Sequence, residues 1–300
     1  MVRYIIKRLF IGVVTIWALI TITFFLIRIM PGSPFEADNL SQSAIEQLES
    51  TYGLDEPMWK QYILYMENLM HGDLGISYKK NVSVNTLIAR GFPYTLSIGL
   101  LSIAVSAFIG ILMATSKRLA VKNTLLGIAT LGVSIPGFVT AILLMMIFGV
   151  WWPVLPIVGL GSPANYILPV AAQSFGQIAS IARLTKSTYS EAIQMDYVTM
   201  ARAKGLSNLY ITARHVLKNA LIPVVTYFGP AIAFLITGSF VVESIFSIPG
   251  IGREFTNAIT NRDYTVVLGF SVFIGVIITV ANLAVDIICS LIDPRIKLTN

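Results

Sequence analysis

Runs of roughly 20 apolar residues, the length a helix needs to cross a bilayer, recur along this chain, and short clusters of Lys and Arg separate them. Arg3, Lys7 and Arg8 precede a run that ends near Ile29, and Lys117, Arg118 and Lys122 stand between the next two. Only 12% of the 300 residues are charged, 55% are hydrophobic and the mean hydropathy is +0.77. A soluble domain carries about 25% charged residues, so the expected fold is an all-α polytopic membrane protein. The net charge of +6 does not indicate a nucleic-acid partner, because the cations border apolar runs in the manner of membrane topology. One cysteine, Cys289, excludes an intrachain disulfide.

Six transmembrane helices are expected. The first ends near Ile29, too long for the core of a signal peptide and followed by Met30-Pro31-Gly32 where a cleavage site would need small residues. Arg28, near its far end, is expected to snorkel outward. The others run from about Tyr94 to Ser116, Asn123 to Val150, Ala164 to Ala182, Pro223 to Val242 and Thr265 to Leu291. Ser134-Ile135-Pro136-Gly137 should kink the third, and Gly229-Pro230 the fifth. In the second helix Ser102, Ser106, Gly110 and Ala114 recur at every fourth position. Such a small-residue stripe lets another helix approach closely. With this topology 14 of the 21 Lys and Arg lie inside, which puts both termini in the cytoplasm.

The domain organisation that follows is an N-terminal helix over 1–30, an extracytoplasmic segment over 31–91, a five-helix core over 92–291 with a cytoplasmic loop at 184–222, and a cytoplasmic tail over 292–300. Acidic residues outnumber basic ones in 31–91. Ser43-x-x-Glu46 reads as a capping box. Asp55-Glu56-Pro57 opens a helix whose apolar face is Trp59, Tyr62, Ile63, Met66 and Met70. This segment either faces a substrate-delivering protein or simply caps the bundle.

The most informative polar stretch is Glu191 to Pro223. Tyr189, Ile193, Tyr197 and Met200 fall at helical spacing on one stripe, and Glu191, Gln194, Val198 and Arg202 on a mostly polar face. Ala203-Lys204-Gly205 is a helix stop, with a cation in the last turn and a glycine free to adopt positive φ. Ser207 can cap a second short helix, roughly Ser207 to Thr212.

Glu191-Ala192, Gly205 fourteen positions on, Ile211 and a closing Ile222-Pro223 resemble the EAA loop of bacterial ABC-importer permeases. Ile193 replaces the second Ala of that pattern and Ile222 the Leu before Pro. Asp196-Tyr197, Ala201-Arg202-Ala203-Lys204-Gly205-Leu206, and His215 with Asn219-Ala220-Leu221 resemble the variant in peptide and nickel permeases. Met30 to Phe35, Tyr52 to Pro57, Gly91-Phe92-Pro93, Thr260 to Thr265 and Ile292 to Arg295 extend the resemblance over almost the whole chain, to the B-type permease of oligopeptide importers. Permeases for dipeptides, glutathione and nickel are close alternatives. The resemblance implies a type I ABC-importer transmembrane domain in the bacterial inner membrane. It also implies a second homologous permease, two ATPase subunits that bind ATP and Mg, and an extracytoplasmic peptide-binding protein. It makes Glu191, Ala192, Asp196, Ala201, Arg202, Lys204, Gly205, Leu206, Ile211 and Pro223 the coupling loop. Glu191 and Arg202 are expected to orient the supporting helix, and Leu206 and Ile211 to touch an ATPase groove.

The chain itself has no G-x-x-x-x-G-K-[ST] loop, no H-E-x-x-H and no G-x-S-x-G, so no enzyme, no cofactor and no metal site is expected within it. Candidates for a path or gate are Ser239, Glu243, Asn282 and Asp286, because ionisable groups in membrane helices mark pathways. For Glu243 a headgroup position is the competing reading, and for Asp286 an interfacial or helix-pairing one. An ion-coupled transporter acting alone would need more intramembrane carboxylates than these.

Overall fold

The computed structural model describes residues 2–29, 35, 42–116, 127 and 134–292; in helices, the side chains of 2–5, 42–44, 234–239 and 290–292 are outside the description. The basic turn at 117–122, the capping-box side chain of Ser43, Ser239 as a side chain and the tail from Asp293 therefore lie outside the described residues.

Among the described residues the chain is helical, with one isolated antiparallel bridge between Ile76 and Ser83. The helices are α1 (Val2–Ile29), α2 (Gln42–Thr51), α3 (Met58–Met70), α4 (Val84–Thr115), α5 (Gly137–Met145, prolonged by a π-helical turn Met146–Trp151) and α6 (Ile167–Ala192). They continue with α7 (Asp196–Ala203), α8 (Asn208–Ala220), α9 (Ile222–Ile245), α10 (Ile251–Thr260) and α11 (Tyr264–Ile292). Among the described residues three stretches are long and apolar enough to cross a membrane, Ile6–Ile29, Val84–Thr115 and Tyr264–Cys289; a fourth arises if α8 and the first half of α9, bent by 49°, count as one. Helix α6 has the length, 26 residues, but carries Gln173, Ser174, Gln177 and Thr185, all buried. It hides polar groups inside the protein, which lowers its apolarity without exposing those groups to lipid.

The chain packs as two compact units. One holds residues 2–93 with 249–279; the other holds 94–248 with the end of α11. In the first, Phe24 and Ile27 of α1 pack with Tyr264 and Leu268 of α11, with Tyr62, Tyr65, Tyr78 and Val267 around them. Asp263, almost fully buried, anchors the short turn after α3: its carboxylate accepts from the Ser77 hydroxyl at 2.5 Å and from the Tyr78 amide at 3.2 Å. A Cβ on Gly91 would lie 3.0 Å from the Ile251 backbone nitrogen, so the glycine permits α4 to pass close to the start of α10.

In the second unit α4 packs on α6 through the small-residue stripe. Ser102 and Ser106 are fully buried. Ser102 Oγ donates to Gln173 Oε1 at 3.2 Å, and Ser174 Oγ donates back to the Ser102 carbonyl at 3.2 Å. A larger core joins Ile98 of α4, Ala141 of α5, Leu168 and Ala172 of α6 and Val242 and Phe246 beyond.

Several local expectations are corrected. α4 begins at Val84, not Tyr94, and runs through Pro93. Pro93 has no N–H to donate to the Ala89 carbonyl one turn back, and Ala89 is exposed. At Pro136 the chain does not merely kink: Pro136 is extended (ψ 138°) and a new helix starts at Gly137. The fourth helix continues past Ala182 to Ala192. Arg28 does not reach outward. Its guanidinium lies 5.2 Å from the centroid of the Phe24 ring, because helical side chains slant toward the N-terminus and onto the residue one turn back.

Candidate functional site

The stretch from Glu191 to Pro223 forms a helical elbow. α6 ends at Ala192, Met195 is extended (ψ 149°), and α7 starts at Asp196. Tyr189, Ile193, Tyr197 and Met200 are thus not one helix: the break falls at Ile193–Met195, where no glycine or proline announces it. Tyr189, Ile193 and Tyr197 still pack against one core of Ala192, Val198, Ala201, Ile211, Val216 and Ala220. Met200 points away and is exposed, while Val198, placed on the polar face by periodicity, is fully buried.

The helix stop is as expected. Gly205 has φ +74°; its amide donates to the Arg202 carbonyl at 2.9 Å, and the Leu206 amide donates to the Ala201 carbonyl at 3.3 Å. These paired bonds close the C-terminus of α7 in a Schellman turn. The Ser207 hydroxyl then accepts from the Tyr210 amide at 3.3 Å and caps α8. α8 runs beyond Thr212 to Ala220 and contains a π-helical segment, Ile211–Val216. Its end is tied to α6, where Thr188 Oγ1 donates to the Ala220 carbonyl at 2.7 Å.

Ile211, expected to touch a partner, is 2% exposed and belongs to the elbow's own core. The apolar surface at the tip is instead Leu206 with Leu209 and Tyr210, the last two missed by sequence reasoning; Leu209 is 81% exposed. Glu191 and Arg202 are both exposed and form no ion pair with each other among the described residues. Glu191 accepts from Ser187 Oγ at 3.3 Å. Asp196 stands in the first turn of α7 and Arg202 in the last, each at the end of the helix dipole that suits its sign. Glu191, Ala192 and Pro223 meet along one open hollow of about 390 Å³, together with Met195, Tyr197 and Asn219. The two ends of the motif thereby converge.

Within the same unit a cleft of about 600 Å³ lies among α5, α6 and α9. Among the described residues none that lines it is charged; the polar ones are Thr140, Gln173, Gln177, Ser180 and Tyr227. The Tyr227 hydroxyl donates to Gln177 Oε1 at 2.7 Å. Gln173 and Gln177 went unremarked in the sequence, although two glutamines one turn apart in an apolar helix are a signal of an inward-facing stripe. Glu243, Asn282 and Asp286, singled out as path candidates, are not among the described residues that line this cleft. Glu243 is fully buried and accepts from Thr95 Oγ1 at 2.6 Å. Asn282 stands against Gly229, where a Cβ would come within 2.5 Å of its Oδ1. Asp286 is half-buried in α11. Thr95→Val should cost about 1–3 kcal/mol by removing a donor from a buried carboxylate, seen as a lower unfolding temperature of the purified protein, whereas Thr95→Ser should stay close to wild type. Among the described residues no three His, Cys, Asp or Glu side chains converge on a metal position.

Residues 106–298 match the binding-protein-dependent transport system inner membrane component, and residues 1–99 the N-terminal region of the same kind of membrane component; the chain belongs to this family. It is 41% identical over 304 residues to the dipeptide transport system permease protein of Bacillus subtilis (strain 168), covering 99% of each chain. It is 40% identical over 305 residues to the oligopeptide transport system permease protein of Haemophilus influenzae, covering 99% of this chain and all of that one. Two solved structures share the fold. An amino acid ABC transporter crystallised with histidines aligns with TM-score 0.51 over 71% of this chain and 95% of that chain at 19% identity. The inward-facing MetNI methionine ABC transporter aligns with TM-score 0.53 over 69% and 96% at 18% identity. The fold is therefore that of a type I ABC-importer transmembrane domain.

Proposed function

We propose that this chain is one membrane half of an ATP-driven, binding-protein-dependent importer of oligopeptides, with both termini in the cytoplasm. A second, similar permease completes the pathway, two ATPase subunits sit beneath, and an extracytoplasmic binding protein delivers the peptide. The observation that carries this reading is the elbow. A Schellman turn at Gly205 and a cap at Ser207 hold an exposed apolar tip, Leu206, Leu209 and Tyr210, on a core of its own. A tip held rigidly in this way can pass a partner's motion to α6 and α9 as a lever acting on a two-state bundle. ATP and Mg are bound by the ATPase subunits, and the full-length likeness to peptide permeases supports peptide as the cargo.

The cleft between α5, α6 and α9 is the proposed stretch of path contributed by this chain. Neutral amide and hydroxyl groups suit a cargo whose side chains vary, since they can contact a peptide backbone without holding either charged end. Dipeptides are the second reading, favoured by the Bacillus subtilis relative. Purified transporter with its binding protein in proteoliposomes decides: ATP hydrolysis stimulated by longer peptides supports the first reading, stimulation confined to dipeptides the second, and uptake by this chain alone on an ion gradient removes both.

Gly205→Val should leave the protein in the membrane but reduce peptide-driven uptake severely. The backbone at φ +74° costs roughly 1–2 kcal/mol for an L residue, more for a β-branched one, and relieving that strain re-aims the tip. Normal uptake by a normally expressed variant would refute the lever.

A further inference from the structure

We propose that α3 is an interfacial helix seated in the lipid leaflet that borders the C-terminal end of α1, with Trp59, Ile63 and Met70 as its lipid-facing stripe. The inference depends on α1 being a membrane span and not on the identity of the cargo.

The apolar residues of α3 do not all meet the same neighbour. Tyr62 and Tyr65 turn toward α1. The Tyr62 hydroxyl is 2.7 Å from Thr21 Oγ1, and its ring meets Phe24 and Phe25 at centroid distances of 5.4 and 5.7 Å. Tyr65 lies 6.1 Å from Phe24. Trp59, Ile63 and Met70 point elsewhere and are 64%, 56% and 78% exposed. Spacings of four and seven put those three on one stripe. Lys60, Glu67 and Asn68 occupy the remaining arc, with Leu64 between Lys60 and Asn68, and all four are exposed; Lys60 is paired to Glu56 at 2.6 Å.

The depth follows from α1. Arg8 and Arg28 bracket its apolar stretch at a separation of about 30 Å along the axis, the thickness of a hydrocarbon core. Thr21 is seven residues before Arg28, about 10 Å below it. A helix whose tyrosines reach Thr21 and Phe24 therefore lies at the boundary between headgroups and acyl chains, the depth of a helix that rests in the interface. Trp at such a boundary is favoured because its ring is apolar and its N–H is polar.

What covers the stripe is indicated by its surroundings. On α1, Ile22, Leu26 and Ile29 are 59%, 61% and 70% exposed, and they occupy the arc next to Phe25, where α3 is seated. The exposed face of α3 thus continues the lipid-facing surface of a transmembrane helix, at the same depth, with no charged residue between. A binding-protein surface would have to enter the acyl region to reach it. Lipid is the occupant that matches both chemistry and depth, and α3 then acts as a fixed float that sets the height and tilt of α1.

The test places a photoreactive benzophenone amino acid at position 59, 63 or 70, one at a time, in the assembled transporter in its own membrane, with positions 60 and 67 as controls. After irradiation the intact mass of the chain is read. An increase by one phospholipid at positions 59, 63 and 70, several-fold above the yield at 60 and 67, is expected. An adduct to the second permease or to the binding protein at these positions, or lipid adducts no more frequent than at Glu67, overturns the proposal. Position 70, the most exposed of the three, keeps the test decisive if a variant at 59 or 63 fails to assemble.

Discussion

Ile211→Asp is expected to abolish both the association with the ATPase subunits and peptide-driven uptake, while the chain still inserts in the membrane. Ile211 sits at 2% exposure among Ala192, Val198, Ala201, Val216 and Ala220. A carboxylate there finds no cation and no donor among its apolar neighbours. An uncompensated buried charge costs about 3–5 kcal/mol, more than this small core can absorb, so α7 should detach from α8. Ile211→Val should cost only about 0.5–1.5 kcal/mol and keep activity. Leu209→Asp provides the contrast. It lies in the open, so the elbow should stay folded while affinity for the ATPase subunits falls about tenfold or more, equivalent to about 1.4 kcal/mol. Limited proteolysis between residues 193 and 210 separates the two outcomes: Ile211→Asp should be cut readily and Leu209→Asp should resist as wild type does. If both variants behave alike in proteolysis and in association, the division of the elbow into an internal core and an exposed tip is wrong.

Gly110→Leu should be nearly as damaging, for a different reason. A Cβ at position 110 would stand 2.8 Å from Ile181 Cγ2 and 3.2 Å from the Ala182 backbone nitrogen. The side chain of Ile181 can shift, but the backbone of α6 cannot yield without moving the helix. Overpacking of a well-fitted contact costs about 1–3 kcal/mol, and the hydrogen bonds from Ser102 to Gln173 and from Ser174 to Ser102 stretch as α4 and α6 separate. Gly99, on the same helix, has nothing within 4 Å of its would-be Cβ. Gly99→Leu should be neutral or slightly stabilising, because Gly is the poorer helix former by up to about 1 kcal/mol. Thermal unfolding of the two purified variants checks the pair. A lowered midpoint for Gly99→Leu equal to that of Gly110→Leu would mean that α4 does not meet α6 through this stripe.

Both predictions turn on how far a signal reaches along the chain. The apolar runs, the stop at Gly205 and the cap at Ser207 were legible because each depends on only a few neighbouring residues: φ +74° needs a glycine, and an open amide needs a hydroxyl. The stripe from Ser102 to Ala114 was also legible, since only small side chains admit a second backbone so close. Other features carried no such local mark. The break at Ile193–Met195 has no glycine or proline; burying Val198, Ala201 and Ile211 together compensates it, and that contact brings Ile211 to residues ten and thirteen positions earlier. Ile211 reads as a free apolar residue until α8 folds back on α7. The same holds for Glu243, which sits at the end of an apolar run in sequence yet is enclosed by Thr95 from a helix 148 residues earlier. The two glutamines of α6 became a cleft lining only when α5 and α9 were placed beside them. The sequence by itself determined the membrane-embedded helical class, the elbow's punctuation and the family. The tertiary structure alone decided which face of each helix is covered, because periodicity defines a stripe but the partner that covers it lies far along the chain.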